Sequence, residues 1–309
     1  MERWGRSVWR VVIVVALAGG VSAVRAEDAQ KSDAQVSGQL PEVVVTGSLE
    51  HQVRTGSKTR TALEDIPATI HTVPRYVIEV QGASANLDKA IYNVSGVTQS
   101  SSSNYGFFNN YLIRGLNMNF LRDGVPDGSS INGYARSLVD VEQVEVLKGP
   151  ASALYGSGAP GGSVNLVSKQ PQPKAGYSLA QMVGAFDTYQ TSGDATGPVF
   201  GNGRLLYRFN ANFYTSHGFR DIERETFDIL PTLVWKPDGH QVTLDFDYRD
   251  IDLTADTYGI PFRGSSRTQD NPLLGVSRET KYYTPFATTE QQVRRYAVSD
   301  EWIVNEGLS

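Results

Sequence analysis

Cysteine is absent from this 309-residue sequence, which excludes disulfides, thiolate metal ligands and thiol nucleophiles. No apolar run approaches the roughly 18 residues of a membrane-spanning helix, so a place in a bilayer would have to be met by a β-barrel. A basic excess is missing too. The 28 Lys and Arg face 33 Asp and Glu for a net charge of -5, and no basic stripe marks a nucleic-acid partner. The four histidines, His51, His71, His217 and His240, are scattered without metal-ligand spacing. No Ser/His/Asp arrangement can be argued, and the expectation is a protein that is not an enzyme. What is plentiful is glycine (30), tyrosine (15) and phenylalanine (12), which suits a β protein with many tight turns and exposed aromatics.

The N-terminus reads as an export signal. Arg3, Arg6 and Arg10 precede the apolar run Val11 to Ala18, small residues follow, and Val24-Arg25-Ala26 fits an A-x-A cleavage site, with Ala23 as the alternative. Residues 1–26 are therefore expected to be removed. The polar run 27–39 is expected to be disordered. Within the flexible segment 27–54, Leu40-Pro41-Glu42-Val43-Val44-Val45-Thr46-Gly47 stands out. Three valines and a threonine prefer extended backbone. On a tether they suit addition to the open sheet edge of a partner; otherwise they form the first strand of the next domain.

From about 55 to 174 the pattern predicts a small α+β domain. Ala68 to Val73 alternates as a strand between Pro67 and Pro74; Tyr76 to Gln81 and Leu87 to Asn93 read as short helices, the second with Leu87, Ala90, Ile91 and Val94 at helical spacing. Residues 100–110 form a loop. The most informative stretch runs from Tyr111 to Pro171: Leu112-Ile113-Arg114-Gly115, then Phe120 to Pro126, then Val141 to Pro150, then Ala151 to Gly162, then Ser163 to Lys169. Val144/Val146 and Val164/Leu166 alternate as short strands, and Ser152 to Tyr155 is one helical turn stopped by Gly156. Gly156 to Gly161 satisfies G-x-G-x-x-G, but it contains Pro160, follows a helical turn and feeds a strand. A dinucleotide loop follows a strand and opens a helix, so the glycines read as turn formers and no cofactor is expected.

Beyond Lys174 the rhythm changes. Leu205, Tyr207, Phe209, Ala211 and Phe213 alternate with Leu206, Arg208, Asn210, Asn212 and Tyr214; Val242, Leu244, Phe246 and Tyr248 alternate with Thr243, Asp245, Asp247 and Arg249. Ten-residue runs, apolar on one side and polar on the other, are the pattern of a transmembrane barrel strand with a wet lumen. Phe227, Ile229, Leu233 and Trp235 make a fainter version broken by Pro231, and 177–185, 188–197 and 291–303 are weaker still. From 216–226 onward, longer connections alternate with tight turns such as Pro237-Asp238-Gly239. Asp245, Asp247, Asp250 and Asp252 read as a hydrated lumen wall rather than a calcium site.

The run Glu142 to Lys169 resembles the plug signature of TonB-dependent outer-membrane receptors, most closely the ferric-siderophore receptors. That resemblance implies an α+β plug domain at 55–174, followed at 175–309 by an incomplete antiparallel transmembrane β-barrel, about six strands of an expected 22 or so. The chain then looks like the N-terminal piece of a receptor, unable to act alone. Leu40 to Gly47 resembles the TonB box, with Glu42, Val43, Val44, Val45 and Thr46 as the TonB-binding residues, and the run 27–39 has no room for an extra signalling domain. Further implications are an outer-membrane location among lipid, a monomer, the inner-membrane TonB complex as partner, and iron carried as a siderophore chelate. Haem, cobalamin or an oligosaccharide is the alternative cargo, and a secreted β-rich binding module the remote alternative. Arg114, Arg122, Glu142, Glu145 and Lys148 are the expected charge contacts between plug and barrel, with Arg208, Asp245, Asp247 and Arg249 as their lumen candidates. Ligand recognition is expected on outward loops: Asn104, Tyr105, Phe107, Phe108, Asn132 and Tyr134 put aromatics and amides where a bulky polar chelate would bind.

Overall fold

Prolines and glycines set the limits of the first sheet. The computed structural model describes residues 52–53, 55, 61–99, 109–128, 133–150, 159–201, 203–218, 222–254, 280–281, 283–284 and 286–302. Strands β1 (Gln52–Val53) and β2 (Thr61–Ala62) pair with each other, and a 3-10 turn (Leu63–Asp65) leads to β3 (Thr69–Pro74). Helix α1 (Arg75–Val80) starts directly after Pro74, whose fixed φ suits a helix entry. Helix α2 (Leu87–Ile91) is capped by Asn86, whose side chain accepts from the Asp88 N–H at 2.8 Å, and it buries Leu87, Ala90 and Ile91 on one face.

Strands β4 (Val97–Gln99), β5 (Tyr111–Ile113), β6 (Leu116–Arg122), β7 (Val125–Pro126), β8 (Val141–Lys148) and β9 (Gly162–Ser168) join β3 in a seven-stranded mixed sheet. Its order is β3-β8-β9-β6-β5-β4, with β7 paired to β6. All pairings are antiparallel except β6 with β9. Arg114-Gly115 and Asp123-Gly124 all carry positive φ, the geometry of the two-residue turns that match strand twist. Where β9 enters between β8 and β6, a Cβ on Gly162 would lie 2.0 Å from the Leu147 carbonyl oxygen. On Gly161, the last glycine of the G-x-G-x-x-G run, a Cβ would lie 2.6 Å from the Asn117 carbonyl oxygen, so both glycines serve a close backbone approach on the way into the strand. Apolar residues from both helices and from β3, β5, β6, β8 and β9, among them Ile78, Leu87, Phe120, Val144 and Leu166, form the core.

The second sheet is a six-stranded antiparallel meander in sequence order: β10 (Gly176–Gly184), β11 (Thr188–Pro198), β12 (Leu205–Ser216), β13 (Arg224–Trp235), β14 (His240–Thr254) and β15 (Thr288–Trp302). Phe209, Phe213, Phe227, Leu233, Trp235 and Leu244 are exposed on one face, while Asn210, Asn212, Thr226, Asp228, Asp247 and Arg249 are buried on the other. Pro231 sits inside β13; it pairs with Phe209 of β12, but the ladder to β14 skips Leu230 and Pro231, where proline has no N–H to give. Both sheets belong to one compact unit, Leu49–Ser309. Among the described residues no helix is long and apolar enough to cross a membrane, which says nothing of a barrel.

Candidate functional site

The buried polar face of the six-stranded wall lies against the mixed-sheet domain, and the two meet along two seams. The first holds residues 133–137. Arg249 pairs with Asp228 and donates from Nη1 to the Ala135 carbonyl. The other Asp228 oxygen accepts from Asn212 Nδ2 at 2.9 Å and from Ser137 Oγ at 3.3 Å, and Gln190 Nε2 donates to Asn212 at 2.8 Å. Gln291 accepts from the Ala135 N–H at 3.4 Å and donates to the Gly133 carbonyl at 3.5 Å. Ile251 and Leu253 pack on Ala135. Asp228 is fully buried and Arg249 nearly so; ions so placed are tolerated only when paired and hydrogen-bonded.

The second seam follows β9 into β10. Arg208 grips Asp194 with two bonds, Nε at 3.0 Å and Nη2 at 2.6 Å, a bidentate geometry favoured by the planar guanidinium. Lys169 Nζ reaches the same carboxylate at 2.9 Å. Arg208 also donates to the Gln170 carbonyl at 2.8 Å, and the Gln172 N–H donates to Thr196 Oγ1 at 2.8 Å. Burial first, then the charge of Arg75, hold the Lys169 amine below its ordinary range despite Asp194.

Next to the first seam, Arg136, Asp127 and Tyr134 form a charged clip. Arg136 donates from Nε to Asp127 Oδ2 at 3.0 Å, from Nη2 to the Asp127 carbonyl, and from Nη1 to the Tyr134 carbonyl at 3.2 Å. Its guanidinium lies 3.6 Å from the Phe120 ring centroid and 4.4 Å from that of Tyr134, a desolvated cation–π arrangement. The Tyr134 hydroxyl donates to Asp127 at 2.7 Å. Burial and then the Asp127 charge push the Tyr134 phenol up to about 12. Burial alone would raise Asp127; Arg136 first, then Arg122 and the Tyr134 hydroxyl, outweigh it and hold the carboxyl below its usual range. The backbone N–H of Arg136 donates to Asn109 Oδ1 at 2.7 Å, and Asn109 Nδ2 donates to Asp88 at 3.1 Å. Tyr111 also donates to Asp88; burial and that carboxylate push its phenol well above the usual value. Asp88, Tyr92, Val97, Gln99 and Tyr111 line an open cavity of about 670 Å³ beside α2.

The sequence-predicted site residues fall in different places. Glu42, Val43, Val44, Val45, Thr46, Asn104, Tyr105, Phe107, Phe108 and Asn132, with the export signal, lie outside the described residues. Tyr134 is in the clip. Arg114 is exposed in the β5–β6 turn, Glu142 is exposed on β8 and Lys148 is half-buried at its end. Glu145 is fully buried and accepts from Thr55 and Gln143. Arg122 pairs with Asp140 inside the domain; burial opposes its charge, but Asp140 and then the wall's Asp247 raise its pKa further. Of the lumen candidates, Arg208 and Arg249 reach the domain through backbone carbonyls. Asp247 pairs with Arg295 at 2.7 Å, and Asp245 accepts from Thr232 at 2.7 Å. Asp194, Asn212, Asp228 and Lys169 were not singled out from the sequence, although Asp228 occupies an inward position between outward Phe227 and Ile229. Among the described residues no group of three or more His, Asp or Glu is placed to hold a metal.

A mixed-sheet domain seated on the polar face of a β-meander whose other face is aromatic defines the class: a plugged barrel. The model of the TonB-dependent receptor plug domain matches residues 62–163. The chain is 35% identical over 197 residues to the metal-pseudopaline receptor of Pseudomonas aeruginosa, covering 63% of this chain and 27% of that protein. It is 28% identical over 262 residues to the ferrioxamine B receptor of Salmonella typhimurium, covering 81% and 35%. The solved structure of the P. aeruginosa receptor FpvA with bound pyoverdines superposes with a TM-score of 0.72 at 25% identity, over 82% of this chain and 34% of that one. Residues 62–163 thus carry the plug domain of TonB-dependent receptors, and the proteins to which the chain is similar are siderophore and metal receptors. The chain spans roughly a quarter to a third of the length of these curated relatives.

Proposed function

We propose that, in a receptor of its relatives' full length, this chain supplies the plug and first wall strands of an outer-membrane transporter that imports a ferric siderophore. The export signal 1–26, the plug at 55–174 and the wall from 175 belong to this reading. The observation that carries it is the plug held on a polar wall by hydrogen bonds and few ion pairs, with the aromatic face turned away. Such a seam is specific yet can part and re-form in water, as a gated path requires. Ligand is recognised by Asn104, Tyr105, Phe107, Phe108, Asn132 and Tyr134. The exported segment Glu42 to Thr46 pairs as a strand with TonB, and pulling on it opens a path beside the plug. The protein makes and breaks no covalent bonds, and iron passes as its chelate. The 35% identical relative, a metal-pseudopaline receptor, supports a second cargo, a chelate of another metal.

The test uses Val44 variants of the full-length receptor and a panel of ferrioxamine B, ferrichrome and a ferripyoverdine, each loaded with labelled iron. Val44→Pro removes one N–H and fixes φ, which an added strand tolerates poorly; Val44→Ala costs at most about 1 kcal/mol of strand preference. The proline variant is expected to bind ligand in the cold and fail to import it, while alanine imports nearly normally. Uptake by the proline variant at the parent rate would reduce Glu42 to Thr46 to a linker.

A further inference from the structure

We propose that Thr55 and Glu145 form a latch: Thr55 closes the second face of the plug sheet by docking on the Glu145 carboxylate, and its release opens that face to water. Val144, Val146, Val164 and Leu166 point into the core shared with both helices. Glu145 and Asn165, which alternate with them and pair across β8 and β9, point to the other side. Both are nonetheless fully buried, and so are Val53 and Thr55. One Glu145 oxygen accepts from the Thr55 N–H at 3.0 Å, from the Thr55 hydroxyl, and from Asn165 Nδ2 at 3.5 Å. The other accepts from Gln143 Nε2 at 2.6 Å. Asn165 Nδ2 also donates to Thr55 Oγ1 at 2.9 Å, while its Oδ1 accepts from the Gly124 N–H at 3.0 Å. Donors thus arrive at both Glu145 oxygens, a pattern that a carboxylate can satisfy and an amide cannot. An apolar residue would fill this spot at lower desolvation cost. The carboxylate is strongly bonded while docked and well hydrated once free, so the contact can part and re-form. The β1–β2 pair that carries Val53 is a sheet of its own, outside the ladder of the mixed sheet. Among the described residues, this pair and Thr55 precede every strand of that sheet. A pull on Glu42 to Thr46, the reading under Proposed function on which this last step rests, therefore reaches the latch before the sheet.

The test places a single cysteine at the buried position 53 (Val53→Cys) in the full-length receptor, in lipid vesicles, and reads its rate of maleimide labelling. In that background Thr55→Val removes the hydroxyl, and Glu145→Gln must give up the donors on one side. Each is expected to speed labelling by about tenfold or more, the size of a lost hydrogen bond to a charged group, whereas Thr55→Ser labels at the slow parent rate. Amide hydrogen exchange should rise at 143–146 and 163–166 in the two fast variants, with β12 unchanged. Slow labelling in both, or exchange rising evenly through both sheets, would overturn the proposal. Failure of both to fold would overturn it too, since a contact that the fold cannot lose is no latch. The pull is read separately, in energised cells given ferrioxamine B, ferrichrome or ferripyoverdine. There the Val53→Cys receptor should label faster than in de-energised cells, and Val44→Pro should abolish the difference. If energised cells show no difference while the vesicle results hold, the pulling reading fails and the latch stands.

Discussion

The two sheets are inversions of one another. In the plug, Val144, Val146, Val164 and Leu166 are buried and charges such as Glu142 are exposed; in the wall, Phe209, Phe213 and Leu244 are exposed and Asn210, Asp228 and Arg249 are buried. The same strand period of two serves both. What differs, in the outer-membrane placement proposed above, is the surroundings: the plug turns its charges to water, whereas the wall keeps its polar face for the plug and its aromatic face for hydrocarbon. Strand pattern alone therefore reports alternation, and the solvent decides which side is in.

Paired substitutions sharpen this contrast. Val144→Asp places an unpaired carboxylate in the apolar plug core and is expected to cost at least about 4 kcal/mol. Chemical unfolding of the full-length receptor in detergent should show the plug lost before the wall. In the wall the apolar change is the damaging one: Asp228→Ala strands the Arg249 guanidinium, and a broken buried pair costs about 3–5 kcal/mol. Amide exchange at 133–138 reports this, because Ser137 loses its partner as well. If Asp228→Ala were neutral, the first seam would not hold the plug. Phe213→Arg on the outward face should cost about 2–4 kcal/mol in a bilayer, yet little in a wall facing water; refolding into lipid vesicles measures it.

The smallest effect concerns pH in the clip. The folded pKa of Asp127 is depressed, so its contribution is present above the unfolded carboxylate value, about 3.9, and is lost as pH falls through the folded value. The folded pKa of Tyr134 is raised to about 12, so its contribution is full below the unfolded value, about 10, and is lost as pH rises through about 12. A tyrosinate absorbance titration of the receptor minus that of Tyr134→Phe should show one phenol ionising near 12. A difference centred near the ordinary value would contradict the buried clip.

Much of the architecture was legible because it depends on local pattern. The alternations at 205–214 and 242–249 lie within β12 and β14, and Gly115, Gly124, Gly149 and Pro150 fall between strands of the mixed sheet. The first two wall strands were faint because β10 and β11 are rich in small residues such as Gly176, Ser192 and Gly193, which mark neither face. In β13 Pro231 broke the pattern, although it costs only a local stretch of the ladder to β14. The seams were far less legible. Arg249 could be placed on the lumen side, but its partners Asp228 and Ala135 lie 21 and 114 residues away in the chain, a distance no periodicity encodes. Arg136 was hidden for a related reason: an arginine in a loop reads as solvated until the loop is seen to close around it.

Single cysteines along β12 test the inversion most directly, since the chain has none of its own. Spin labels at 208 to 213, each placed singly in a cysteine-free full-length receptor in lipid vesicles, are probed with dissolved oxygen and with a water-soluble nickel chelate. The account predicts strict alternation: 209, 211 and 213 relaxed by oxygen and shielded from nickel, and 208, 210 and 212 shielded from both beneath the plug. Labels at 209, 211 and 213 relaxed by nickel would mean that the aromatic face meets water, and the plugged-barrel account would be wrong.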